Sequence, residues 1–299
     1  MSIAARLETL REITNHPLNR HRRLGALVDY FRWNLGHRLL KTEYLLRLAG
    51  EATIVVSDRQ NFGTLAYTCG LWDFGEMMFM LHFLRPSDRF ADIGSNVGAY
   101  AVLASAVAGA HSVAFEPVPI TYGELARNIR LNNIEHLVDA RRVCVGGSNG
   151  SVRMTSTQGG LNHVATDRDK DVALVETEVM RLDDALGGEP CAFIKMDAEG
   201  YEAEILTGAR ATLENPALAG LIVELNDSGL RYGHGNDAVH AALTDFGFAP
   251  YEYNPRARTL RRLPTFNTGS LNTLYLRDMV RIAERLASGP RIAVRDETI

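Results

Sequence analysis

Phe90-Ala91-Asp92-Ile93-Gly94-Ser95-Asn96-Val97-Gly98-Ala99-Tyr100 is the stretch that decides the fold. Arg89 to Ile93 reads as a short buried strand, Gly94 to Gly98 as a tight turn, and the small residues Ala99 to Ala108 as a closely packing helix. Ser112 to Phe115 is a second strand, closed by Glu116-Pro117. Thr121 to Asn132 forms a helix with Leu125 and Ile129 in register, and Val138 to Val145 is a third strand. Strand–helix–strand–helix–strand is the pattern of a parallel α/β sheet with right-handed crossovers.

The same rhythm resumes downstream. Ala192 to Met196 and Leu221 to Leu225 read as buried strands, Glu202 to Leu213 and Asp237 to Phe246 as helices, and Ala249 to Tyr253 with Leu271 to Leu276 as a closing hairpin, about seven strands in one sheet. Between the halves, Gly146 to Asp171 carries Gly-Gly and Asn-Gly turn chemistry and reads as an inserted hairpin and loop, followed by an edge strand at Glu176 to Met180. Upstream, Thr53 to Val56 is a short strand. Phe74 to Leu84 is a helix whose Met77, Met78 and Met80 fill the core, while His82 is a packed core residue. The division expected is a helical extension over 1–50, a main domain over 51–288 and a frayed tail over 289–299.

Composition bounds the function. The 299 residues are 46% hydrophobic and 23% charged, enough for a sizeable core. A net charge of -4 argues against non-specific nucleic-acid binding. Charge is uneven: residues 1–50 carry +5, and the rest carries -9. Leu24, Leu27, Val28 and Phe31 recur at helical spacing there, so these helices would pair two copies or cap the acceptor site, with their basic residues on a solvated face. Cys69, Cys144 and Cys191 form no CxxC pair, which fits a reducing compartment. The N-terminus has no signal-like apolar region, and no run is long enough for a membrane span; a cytoplasmic protein is expected.

Three motifs carry chemistry. At Asp92-Ile93-Gly94-Ser95-Asn96-Val97-Gly98, Gly94 permits a sharp reversal, Gly98 a close approach, and the free N–H groups of the helix start face a ligand. Glu116, 24 residues after Asp92, ends the next strand, where an acid accepts hydrogen bonds from ribose hydroxyls. Ile194-Lys195-Met196-Asp197-Ala198-Glu199-Gly200-Tyr201-Glu202 closes a later strand on the same edge; Asp197 and Glu199 read as site residues and Glu202 as structural. A nicotinamide dinucleotide site wants G-x-G-x-x-G, whereas here Asn96 replaces the middle glycine. The acid before Gly94 suits a cationic amino-acid moiety, which favours S-adenosylmethionine over a pyrophosphate.

FADIGSNVGAY, AFEPVP and FIKMDAEGYE, in this order and spacing, resemble the FkbM family of S-adenosylmethionine-dependent methyltransferases, and Val223-Glu224-Leu225-Asn226 is similar to the family's next strand end. The resemblance implies a Rossmann-like seven-stranded sheet (the class I methyltransferase fold) and methyl transfer to a hydroxyl of a sugar or small-molecule natural product. It implies that Asp92, Gly94, Asn96 and Gly98 line the methionine end of S-adenosylmethionine and that Glu116 holds the ribose, with Ser95, Pro117 and Asp197 also in the cofactor site. An alcohol is a poor acid, so a base or metal is expected. The candidate bases are Asp197, Glu199 and His163, the last in a loop that would fold over the site as a lid. Asp197, Glu224 and Asn226 offer hard oxygen ligands for Mg²⁺. A nicotinamide-dependent oxidoreductase and a non-catalytic nucleoside-binding scaffold are the alternatives.

Overall fold

Each short apolar run of the sequence becomes a strand or a buried helix in the computed structural model, which describes residues 3–40, 43–57 and 62–299. Helices α1 (Ile3–Asn15) and α2 (Arg23–Leu40) come first, then a hairpin of β1 (Tyr44–Arg47) and β2 (Thr53–Val56), then α3 (Gly63–Cys69) and α4 (Phe74–Phe83). The nucleotide-fold half follows as β3 (Arg89–Ile93), α5 (Ala99–Val102, continued by a π-helical turn over Leu103–Val107), β4 (His111–Phe115), α6 (Pro119–Leu131) and β5 (Val138–Arg141). Next come β6 (Cys144–Gly146), β7 (Gly150–Thr155), β8 (Leu174–Arg181) and α7 (Leu182–Leu186). The second half is β9 (Phe193–Met196), α8 (Glu202–Thr207), α9 (Arg210–Glu214), β10 (Gly220–Glu224), α10 (Asn236–Asp245), β11 (Ala249–Asn254), β12 (Thr259–Arg262) and β13 (Asn272–Leu276). Helix α11 (Met279–Ala287) and the hairpin β14 (Ala293–Val294) and β15 (Glu297–Thr298) end the chain.

The main sheet has the order β12-β11-β13-β10-β9-β3-β4-β5. Strands β5, β4, β3, β9 and β10 run parallel, and β13 is reversed against both β10 and β11. This is the Rossmann-like class I methyltransferase sheet with one strand more than the seven expected. The extra strand, β12, reads Thr-Leu-Arg-Arg, too polar to register as a strand by its own pattern. Alternate strand residues face two cores: Phe90, Phe193, Ile222 and Leu274 on one side, Ile93, Phe115, Met196 and Val223 on the other. Met77, Met78 and Met80 of α4 are fully buried in the first core, where a large apolar side chain contributes about 1.5–3 kcal/mol. His82 is buried among them and bonds the Tyr253 hydroxyl at 2.7 Å.

Four expectations are corrected. The insert is a separate three-stranded sheet, β6-β8-β7, that extends to Arg181, so Glu176–Met180 lies in its central strand rather than at an edge of the main sheet. The strand expected over Val138–Val145 breaks after Arg141 into β5, in the main sheet, and β6, in the insert's sheet. The helix expected over Glu202–Leu213 breaks at Gly208 into α8 and α9. The tail is not frayed: Ile292, Val294 and Ile299 are buried, the Arg295 Nε–H donates to Cys69 O at 2.9 Å, and Arg256 pairs with Glu297. In the extension, α2 buries Ala26, Tyr30 and Trp33 and turns Leu24 (81% exposed), Val28, Phe31, Leu35 and Leu39 outward, the stripe on which pairing of two copies would run.

Candidate active site

Register places the site before any side chain is considered. Phe115, Ile93 and Met196 stand side by side across β4, β3 and β9, with Val223 of β10 beside Met196. The residues that follow them, Glu116, Gly94, Asp197 and Glu224, therefore form a row along the carboxyl edge of the sheet, and Asn272 of β13 faces Glu224. That edge is where ligands bind in open α/β sheets.

The turn after β3 is held tightly. Gly94 has φ +72, and a Cβ there would lie 1.8 Å from the backbone oxygen of Asp197. The Gly94 and Ser95 N–H groups and the Ser95 hydroxyl all donate to Phe115 O at 2.9–3.0 Å. Asn96, at φ +51, donates its backbone N–H to Glu116 Oε2 at 3.0 Å, and Gly98 N–H donates to Ser95 O. These N–H groups are satisfied within the turn rather than left facing a ligand. Gly98, at φ +87, makes room for Leu125 of α6, whose Cδ1 would lie 2.4 Å from a Cβ. Asp92 accepts the Ala101 N–H at 3.0 Å and is buried opposite Lys195 in the β3–β9 register; burial pushes its carboxyl up to about 7, against the pull of Lys195.

Two cavities meet at the row. A narrow slot has Phe115, Glu116, Pro117, Val118, Val145 and Met154 in its walls, and Gly159, Gly160, Asn162 and Val164 of the insert close it. Glu116 is buried there, accepts the Val118 N–H at 2.9 Å as well as that of Asn96, and is pushed up to about 7 by burial. Glu116, with Asp197 and Glu199 at the shared edge, gives this otherwise apolar slot of about 70 Å³ its acceptors for ligand hydroxyls. A second cavity of about 1280 Å³ contains Asp92, Ser95, Tyr100, Lys195 and Glu224 in its wall, with α1 capping it through Glu8, Arg11, Glu12 and Asn15. Gly94, Asn96, Gly160, Asp197 and Glu199 line both.

The electrostatics of this shared wall follow from burial around one cation. Lys195 is 2% exposed, its Nζ lies 3.1 Å from Asp197 Oδ2, and it sits over the Tyr100 ring. Burial favours protonation of Asp197, but the Lys195 charge and hydrogen bonds from Glu224 and Lys195 hold its carboxyl below the usual range. Glu224 is pushed well up by burial and by the Asp197 charge, so it is the protonated partner. Burial, then Asp197 and Glu202, push Glu199 up to about 7. Glu199 also holds φ +52, a left-handed conformation that costs a non-glycine residue about 1–2 kcal/mol. Glu202 accepts the Ala198 and Gly200 N–H groups, the structural role expected of it.

The structure does not bring every expected residue in. His163 is buried inside the insert, with Nδ1 2.9 Å from Leu161 O and Nε2 3.2 Å from Asp169 Oδ1, and it lines neither cavity. The insert does cover the slot, but with backbone and Asn162 rather than this histidine. Asn226 borders the large cavity while its side-chain oxygen accepts from the Ser228 N–H and hydroxyl; Glu199 takes its place, and carboxylate oxygens of Asp197, Glu199 and Glu224 lie within 4.8 Å of one another. Three hard oxygen donors fit a divalent cation. Sequence reading passed over Asp73 and Glu76, which begin α4 inside the larger cavity. Their signal was two acids opening an otherwise apolar helix.

The chain is 26% identical over 198 residues to the methyltransferase sdnD of Sordaria araneosa, covering 54% of this chain and 74% of that one. It is 28% identical over 180 residues to the 31-O-demethyl-FK506 methyltransferase FkbM of Streptomyces tacrolimicus, covering 48% and 67%. Among solved structures, a transferase of Pyrococcus horikoshii described as putative aligns over 84% of this chain and 82% of its own at 13% identity, with a TM-score of 0.44. The model of the FkbM methyltransferase domain matches residues 92–250, from the Asp92 that opens the glycine turn to the start of strand β11, and the chain thus belongs to the FkbM methyltransferase family.

Proposed function

We propose that the chain transfers the methyl group of S-adenosylmethionine to a hydroxyl of a small-molecule natural product or sugar in the cytoplasm, with Asp197 as the base. The observation that carries this reading is the wall shared by the two cavities: Asp197 and Glu199 border both the slot beside Glu116 and the chamber large enough for an acceptor. Glu116 and Pro117 would hold the ribose, and Asp92, Asn96 and the Gly94 turn the methionine end. The acceptor oxygen attacks the methyl carbon as the carbon–sulfur bond breaks, leaving the electron pair on a neutral thioether. The hydroxyl proton passes to Asp197, which the Lys195 charge keeps ionised. Alignment of oxygen, carbon and sulfur supplies about 7–11 kcal/mol, and the base a further factor of roughly 10²–10⁴. Asp197, Glu199 and Glu224 are the residues that would hold Mg²⁺, whose Lewis acidity would lower the pKa of an acceptor hydroxyl.

The test is Asp197→Asn assayed with methyl-labelled cofactor and with S-adenosylhomocysteine binding. Turnover should fall at least 100-fold, with thioether affinity within threefold of wild type. Undiminished turnover removes Asp197 from the mechanism. An inactive wild type that binds the thioether returns the reading to a nucleoside-binding scaffold.

A further inference from the structure

The larger cavity has a second wall that methyl transfer does not use. Asp73 precedes α4, Glu76 lies in its first turn, and Asn272 opens β13. Asp73 accepts the Tyr100 hydroxyl at 2.9 Å, and the Asn272 side-chain amide lies beside it in the same wall. The oxygen end of that amide is an acceptor. Asn272 is 7% exposed, and its side-chain oxygen has no donor among the described residues. Glu76 makes no ion pair among those residues, and burial together with Asp73 pushes it up to about 7. The wall therefore presents the carboxyl groups of Asp73 and Glu76 and an orphaned carbonyl oxygen, a set that an ammonium, by favouring the ionised acids, turns wholly into acceptors.

The place of Asn272 in the sheet sets that end of the wall apart from the glycine turn. β13 is the third strand from β3, so Asn272 stands about 14 Å along the edge from Gly94 at 4.7–4.9 Å per strand. It is one strand further from Glu116. Carboxyl groups outnumber cations here: Asp92, Asp197 and Glu199 share the cavity with Lys195 while Glu224 is protonated, Glu8 and Glu12 of α1 exceed Arg11, and the cofactor itself adds a single net positive charge. Phe62 and Trp72, stacked at 4.4 Å and 18°, give the same cavity a flat aromatic border.

We propose that the acceptor carries a protonated amine, as an amino sugar does, and that Asp73, Glu76 and Asn272 hold that amine while a hydroxyl of the same molecule faces Asp197. An ammonium offers three donors and no acceptor, the complement of this wall. It also satisfies the buried Asn272 oxygen and offsets carboxylates that burial otherwise penalises. Anionic acceptors, sugar acids and phosphate esters among them, are rejected by the same charge. The inference rests on the reading of the shared wall as the site of methyl transfer.

The test uses full-length protein saturated with S-adenosylhomocysteine, titrated with the methyl glycosides of glucosamine, N-acetylglucosamine and glucuronic acid. The amine should bind at least tenfold more tightly than its N-acetyl counterpart, with the acid weakest. Glu76→Gln and Asn272→Leu should each shrink that preference below threefold and leave thioether affinity within threefold. Equal binding of the three sugars, no binding of any at millimolar concentration, or a preference that survives both variants overturns the inference. So does a tenfold loss of thioether affinity in Glu76→Gln, because the wall would then serve the cofactor's own ammonium. Failure of the wild type to bind the thioether instead removes the methyl-transfer reading, before the sugars are tried.

Discussion

Replacing Glu116 by alanine removes the carboxylate that the nucleoside slot is built around. In the unliganded protein one oxygen takes the Asn96 N–H at 3.0 Å and the other the Val118 N–H at 2.9 Å, which leaves a lone pair on each for a ribose hydroxyl. A hydrogen bond to a charged group is worth about 1.5–3 kcal/mol net. Two of them, less what water recovers in the emptied slot, come to about 3 kcal/mol, a loss of roughly 100-fold in affinity. Freeing Asn96 from its φ +51 conformation adds to the loss, since that turn must then be rebuilt on binding. The same carboxyl imposes a pH dependence. Burial holds it near 7, and only the ionised form accepts from both hydroxyls, so affinity rises as pH climbs through 7. Between pH 8.5 and pH 5.5 the wild type should lose up to about 30-fold, one decade for each unit below 7. Calorimetric titration of S-adenosylhomocysteine into wild type, Glu116→Ala and Glu116→Gln at both pH values measures this, with circular dichroism to establish that the variants fold. An alanine variant that binds within threefold of wild type at pH 8.5 refutes the assignment. A pH dependence undiminished in the glutamine variant refutes its cause.

Gly94→Ala and Gly98→Ala separate two kinds of contact. The first drives a methyl group into the backbone of Asp197 and should abolish turnover or soluble expression, whereas the second meets the movable end of Leu125 and should cost about 2–4 kcal/mol, partly recovered in Gly98→Ala/Leu125→Ala, as denaturant titration would show. His163→Ala should leave kcat within twofold, because both ring nitrogens are engaged inside the insert; a 100-fold fall would restore it to the mechanism. Asp92, Glu116, Glu199 and Glu202 are each raised to about 7, chiefly by burial, so the folded chain binds more protons than the unfolded one. Their stabilisation is complete below about pH 4.5 and is lost as pH rises toward and through 7, so Tm of the unliganded protein should fall between pH 5 and pH 8 in scanning calorimetry; a rising Tm would contradict the burial of these acids.

The row of site residues was legible because parallel strands deliver their ends to one edge. Asp92, Glu116 and Asp197 each follow or close an apolar run, and a local pattern was enough to find them. His163 was not legible, because a loop's composition says nothing of where its side chains point; its partner Asp169 is six residues away and becomes visible only when the insert folds on itself. Asp73 and Glu76 looked like ordinary first-turn helix acids. What gives them meaning is Asn272, roughly 200 residues later, and that meeting depends on β13 being inserted in reverse between β10 and β11. The buried tail was missed for a related reason: Ile292, Val294 and Ile299 are too sparse for a pattern, yet each finds the core.

In the proposed mechanism one contact, rather than a chain of them, joins the cofactor side to the acceptor side. The space a side chain on Gly94 would need is filled by the Asp197 carbonyl, so the Gly94 turn and the loop that carries Asp197 pack directly on one another. Asp197 N–H donates to Ile93 O at 3.0 Å from the other side of the same junction. A displacement of about 1 Å between reacting groups can cost a factor of 10². Direct packing of the turn on the loop holds that displacement down without a flexible intermediary, and Lys195 keeps the base ionised where it is held. Positional rigidity and charge therefore come from the same few residues at the carboxyl ends of β3 and β9.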